Sequence, residues 1–274
     1  MPTKNKKLLD YQWPSAFIVK KNFVHSRIKQ NNRKELKKIE FFFSSKLGCQ
    51  AKLFPSARSA ISIILRFLKI DRSKEVFTDR WSSHCLFNTV GALTNVSTSF
   101  SKPDLVICIH KWGVIKKINF KKNFHIIEDS VDSIILNKKN LFPNKGEFEI
   151  ISLPKIIGSM TGGLVLSRNK KFLKFCEKEQ TKNIALGVYQ AKAKFESYKK
   201  NKNFNTWLYH ESWNTYVDGN CLYDIKSNLK NFDTNKRIIF DRLKKVKKDL
   251  DIKHYFNGRI GPVLPIDITK VKNP

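Results

Sequence analysis

Two periodicities share this chain. From Glu35 to Leu47 the apolar residues Leu36, Ile39, Phe42, Phe43 and Leu47 fall near helical spacing and stop at Gly48, which predicts a glycine-terminated helix. A second helix is predicted over 56–70, where Ile61, Ile64, Leu65 and Leu68 form a stripe at i, i+3, i+4 and i+7 behind a small-residue start. Further helical spacing carries Phe87, Val90 and Leu93. Another helix lies within 170–203, with Leu173, Phe175, Ala191, Phe195 and Tyr198 as its apolar members. The last runs over 233–250, with Ile239, Leu243, Val246 and Leu250 on one stripe and Asp233 as N-cap. Between these helices stand short, β-branched apolar runs at 75–79, 103–110, 124–129, 148–151, 164–166 and 262–268. Continuous apolar runs alternating with helices predict an α/β chain whose mostly parallel sheet is covered on both faces.

One stretch gathers the chemistry. Residues 146–163 pass from an apolar strand (Phe148, Ile150, Ile151) through Ser152 and Lys155 to Gly158, Gly162 and Gly163, and then into a second strand. Most lysines are solvated surface charges, but this one lies between two core strands. An amine near apolar groups loses its proton more readily, and the free amine is the species that forms a Schiff base with a carbonyl. A second signal is the strand 124–129 ending in Glu128 and Asp129, because ligands of open α/β sheets bind beyond the carboxyl ends of the strands. An aspartate there also serves as an ordinary helix cap. A third is the helix start at Ser56, Arg58 and Ser59, where backbone N–H groups and the helix dipole suit a phosphate, although a plain serine N-cap has the same appearance.

These parts, in this order, resemble the DegT/StrS family of pyridoxal-phosphate (PLP) sugar aminotransferases over roughly residues 35–268. Ser152, Leu153, Lys155 and the Gly162–Gly163 pair match the family's Schiff-base segment. The resemblance implies a fold type I α/β architecture with a large PLP-binding part, residues 1–215, and an incomplete small α/β part, residues 216–274. It implies that Lys155 holds PLP and that Asp129 pairs with the pyridine nitrogen. Arg58, Ser59 and Ser152 then bind the phosphate. His84 stacks on the ring, with Trp81 as the rival stacker. His110 and Gly113 match a strand-end pattern that shapes the site. Asp132 stands where the family has Gln or His beside the cofactor's phenolic oxygen, and a second carboxylate there leaves a catalytically impaired relative as the alternative reading. The implied reaction moves an amino group from an amino acid, with glutamate as the expected donor, to a keto group on a nucleotide-linked sugar for glycan synthesis, in a homodimer.

Composition changes the picture in one respect. The balance of 53 basic against 23 acidic residues gives a net charge of +30, a field that attracts polyanions. The lysines are spread along the chain and outnumber the arginines, and no zinc-finger, helix-turn-helix or RNP pattern is present, so a basic nucleic-acid-binding protein is the weaker alternative. The five scattered cysteines predict neither a disulfide framework nor a metal site. With no apolar run of membrane-spanning length and no secretion signal at the basic start, the expected location is the cytoplasm.

Overall fold

The structure is a computed structural model that describes residues 24–29, 33–119, 124–135, 138–159, 161–182, 184–199, 212–230, 232–249 and 259–261. Its centre is a seven-stranded sheet of β1 (Ala51–Phe54), β2 (Glu75–Thr78), β3 (Asn95–Ser97), β4 (Leu105–Ile109), β5 (His125–Asp129), β7 (Phe148–Ser152) and β8 (Gly163–Ser167). The order across the sheet is β1-β8-β7-β5-β4-β2-β3. Only β8 runs against the others, pairing antiparallel with β7 on one side and β1 on the other. A separate two-stranded ladder joins β6 (Ile134–Ile135) to β9 (Arg259–Ile260), with Ile134 opposite Ile260 and Ile135 opposite Arg259.

The helices are α1 (Arg33–Leu47), α2 (Ala57–Phe67), α3 (His84–Gly91), α4 (Leu153–Ile157), α5 (Lys170–Glu179), α6 (Ile184–Lys199), α7 (Gly219–Leu229) and α8 (Phe232–Asp249). Because successive strand residues face opposite ways, β7 and β8 sort their side chains into two cores. Ile151, Leu164 and Leu166 meet Ile39 and Phe43 of α1, Leu222 and Ile225 of α7, and Phe232 of α8. Phe148, Ile150 and Val165 face the other way, toward Ile61, Ile64 and Leu65 of α2, Val90 of α3 and Phe172 of α5. The two-faced cover explains why strand β4 is buried at every position and reads as an unbroken apolar run.

Several sequence expectations fare differently in detail. Gly48 ends α1 with φ +65° and donates to the Ser44 carbonyl at 2.8 Å, as a glycine stop should. The helix within 170–203 is two helices, α5 and α6; at the break Gln180 directs its side-chain amide to Glu40 Oε1 and the Leu53 carbonyl. Asp233 lies in the first turn of α8 instead of capping it, and pairs with Lys46. Most of the N-terminal arm and the strand expected at 262–268 lie outside the described residues.

Candidate active site

Strand β7 ends at Ser152 and the chain turns at once into the one-turn helix α4, with Pro154 in its first turn and Gly158 closing it at φ +70°. The sequence pattern led from Lys155 straight into a glycine turn; the structure inserts this short helix, so Lys155 sits one helical step beyond the strand end. Its Nζ is paired with Asp132 Oδ1, in the turn that follows β5, and both side chains are about one-quarter exposed, at 26% and 25%. Asp129, the last residue of β5, is 3% exposed and accepts a hydrogen bond from Val131 N at 3.0 Å. Burial pushes its carboxyl up to about 6; the Val131 bond opposes this, the neighbouring Asp132 adds to it, and Lys155 works against it. Asp129, Asp132 and Lys155 therefore form one electrostatic group at the carboxyl ends of β5 and β7.

The start of α2 adjoins the end of β7 through the first residues of β8. Ser56 is its N-cap, accepting from Ser59 N at 3.1 Å and lying 3.0 Å from Ser59 Oγ. The helix start is held against the sheet by the Gly162–Gly163 pair. Gly162, at φ +114°, donates to the Pro55 carbonyl at 2.8 Å. A Cβ on Gly163 would lie 2.3 Å from Ala57 N, so only glycine lets β8 begin in contact with the helix start. Gly163 is paired with Ser152, which brings that serine to the same corner. Arg58 is half-buried, its guanidinium pushed below its usual value by burial and within electrostatic reach of Cys85 in the first turn of α3.

His84 opens α3 as its first residue, exposed, and accepts a hydrogen bond at Nδ1 from the Asn88 amide at 3.2 Å. Trp81 is on the preceding loop, 71% exposed, with the Arg80 guanidinium 5.0 Å above its ring.

Two buried networks next to this site escaped the sequence reading. Glu128 accepts from His110 Nε2 at 2.9 Å, from Asn144 N and Nδ2 at 2.7 and 3.0 Å, and from Gly146 N at 3.1 Å. Burial raises its carboxyl and these bonds outweigh it, so the group stays below the usual range. Cys108, His110 and Glu128 have ligand atoms within 4.8 Å of one another, yet the space between them is filled by the Asn144 amide, which also donates to Cys108 Sγ at 3.2 Å. Ile118 N donates to Asn144 Oδ1 at 2.8 Å and fixes that amide's orientation, so the cluster is a closed hydrogen-bond network. The second network joins Glu149 of β7 to Arg259 of β9, both fully buried, at 2.7 Å. A charged residue inside an otherwise apolar strand run was the available signal for Glu149; nothing local marks Arg259.

The donor set fits PLP: an amine, a buried carboxyl driven up by desolvation, and a serine-lined helix start beside a glycine pair. A seven-stranded sheet with one reversed strand, and a lysine directly after the strand that pairs with it, defines the class of fold type I PLP-dependent enzymes. Residues 20–257 match the family described as "Putative PLP-dependent aminotransferase", and the chain belongs to that family. Among the curated proteins none matches the sequence. Among solved structures, AtS13 from Actinomadura melliaura is similar at 13% identity with a TM-score of 0.58, over 91% of this chain and 75% of that one. A DegT DnrJ EryC1 StrS aminotransferase from Brucella abortus is similar at 12% identity with a TM-score of 0.55, over 90% and 72%. NtdA from Bacillus subtilis with bound cofactor PMP gives 16%, 0.56, 92% and 60%. At such identities the likeness is one of fold. The chain spans only 57% of the first of the matched structures, DesV from S. venezuelae.

Proposed function

We propose that this protein is an aminotransferase that moves an amino group from an amino acid, with glutamate as the expected donor, to a keto group on a nucleotide-linked sugar. The observation that carries the reading is the Lys155–Asp132–Asp129 group at the carboxyl ends of β5 and β7, where Ser152 at the end of β7 pairs with Gly163, the glycine packed on the start of α2. PLP, when bound, supplies the carbonyl that captures the amine and the ring that withdraws electrons from the substrate carbon. Lys155 would hold the cofactor through its Nζ and, once freed, would serve as the group that carries the proton at the substrate carbon. Asp129 would pair with the pyridine nitrogen, whose ring cation would offset the cost of the carboxylate's burial. Ser59, Ser152 and Arg58, with the N–H groups of α2, hold the phosphate. His84 covers the ring. The large part at 1–215, the small part at 216–274, a homodimer with shared sites and a cytoplasmic location belong to the same proposal; no helix among the described residues is long and apolar enough to cross a membrane.

A second reading has its own support. The carboxylate of Asp132 engages the very amine that has to be free to react, which favours a relative that binds PLP but turns over slowly. The test is an absorbance titration with PLP of wild type and Lys155→Ala, before and after glutamate. A lysine-dependent band that glutamate shifts supports the aminotransferase; a band that glutamate leaves alone supports the slow relative. A folded protein without any lysine-dependent band refutes both.

A further inference from the structure

The C-terminal residues 259–261 return to the back of the site. Arg259 is fully buried and spreads its fork over three partners: Nε donates to the Asn140 carbonyl at 3.2 Å, Nη1 to Ser130 Oγ, and Nη2 to the same carbonyl and to Glu149 Oε1 at 2.7 Å. Ser130 itself donates to Glu149 Oε1 at 2.7 Å, and Glu149 Oε2 accepts from Phe142 N at 2.6 Å. The next step along the chain is equally tight. A Cβ on Gly261 would lie 2.5 Å from the backbone of Trp112, a bulky residue held at φ +53° just beyond β4. The strand pairing of β9 with β6 completes the attachment.

Ser130 is the residue after Asp129, and it starts the turn that presents Asp132 to Lys155. Its N–H donates to the Ile150 carbonyl, and its own carbonyl accepts from Ser133 N. One guanidinium thus holds together the turn after β5, the carboxylate of β7 and the loop at Asn140. We infer that Arg259 is a positioning residue for the cofactor site: docking of residues 259–261 fixes the turn carrying Asp129 and Asp132, so that occupancy of the PLP site and attachment of this segment are coupled. The inference rests on the functional reading above. Coupling of this kind is reciprocal, so whatever loosens the segment weakens the cofactor by the same factor.

A buried arginine cannot simply be deleted, since Glu149 would be left as an uncompensated charge. The test therefore uses Arg259→Lys, which keeps the charge but not the fork, and the double variant Glu149→Met with Arg259→Met, which removes both charges. Three quantities are read on the full chain: the melting temperature, the dissociation constant for PLP with the pH profile of its lysine-dependent band, and amide hydrogen exchange at 130–133 without PLP. The expected result for both variants is a PLP affinity at least tenfold weaker with a displaced pH profile. Faster exchange at 130–133 accompanies it, and in the double variant the melting temperature stays near wild type. Wild-type affinity and band profile in either folded variant would overturn the inference, leaving the pair as packing alone. If the wild type itself forms no lysine-dependent band, the functional reading is what has failed. Unchanged exchange at 130–133 then overturns the positioning role separately.

Discussion

Asp129 makes a measurable demand on the free protein. In the unfolded chain its carboxyl ionises near 3.8, whereas in the fold burial pushes it up to about 6. Below 3.8 both states hold the proton and the residue is neutral in the balance. As pH rises, the unfolded chain ionises first, so stability falls until the folded carboxyl also ionises near 6 and is level above that. At about 1.4 kcal/mol per pH unit, the interval from 3.8 to about 6 corresponds to about 3 kcal/mol. Asp129→Asn removes the charge and keeps an oxygen to accept from Val131 N. Its amide N–H groups gain no assured partner, which costs about 1–2 kcal/mol at every pH. The variant should thus be slightly less stable than wild type near pH 4 and more stable at pH 8, the difference moving by about 3 kcal/mol, or about 6–9 °C in melting temperature for a chain of this size. Thermal melts of the two proteins side by side, without PLP, at half-unit steps from pH 4 to 8.5 measure it. A difference that stays flat with pH, or one that moves the other way, would refute the account of Asp129 as a desolvated and undercompensated carboxylate.

Three further outcomes follow from the geometry. Gly163→Ala drives a methyl into the Ser56–Ala57 backbone and should shift the α2 start, lowering stability by more than about 2 kcal/mol and PLP affinity with it; urea unfolding and PLP titration give both. Ser56→Ala loses the bond from Ser59 N and should lower stability by about 1 kcal/mol in the same unfolding experiment. Asn144→Ala leaves Glu128 and Cys108 each short of one donor and Ile118 N short of its acceptor, a loss of about 2–4 kcal/mol, and because the amide fills the space between the Cys108, His110 and Glu128 ligand atoms a chelator should leave the melting temperature of the wild type unchanged. A wild-type protein destabilised by the chelator would contradict the closed hydrogen-bond reading.

Legibility from sequence divides along a physical line. Features whose signal is local were readable: the glycine stop at Gly48, the unbroken run of β4, the apolar stripe of α2, and the strand-lysine-glycine run around Lys155. Boundaries set by tertiary contacts were not. The break between α5 and α6 is made where the Gln180 side chain reaches Glu40 and Leu53, residues 140 and 127 positions away in sequence, and no local pattern encodes that. His84 is the first residue of α3, whose N-cap Ser83 makes no side-chain capping bond, so the helix start carries no local capping signal in the sequence. Arg259 was invisible for the same reason as Gln180. In a chain with 53 basic residues, only the partner tells a buried arginine from a solvated one.

The three carboxylates at the ends of β5 and β7 show how the fold separates structure from chemistry. Glu128 collects four donors from His110, Asn144 and Gly146, and Glu149 collects an arginine, a serine hydroxyl and a backbone N–H. Both are as buried as a leucine and both are satisfied, so each ties strand to loop without needing a ligand. Asp129 follows Glu128 on β5, opposite Ile150 of β7, and so faces the other side of the sheet; it is almost as deeply buried, with the Val131 N–H as its hydrogen-bond donor among the described residues and Asp132 and Lys155 nearby. The fold thus supplies partners to Glu128 and Glu149 but gives Asp129 one backbone donor among the described residues, so a cation bound beside it would offset the cost of its burial. On the proposed function the pyridinium of PLP would be such a cation, and Lys155, within electrostatic reach of Asp129, would take up its carbonyl end.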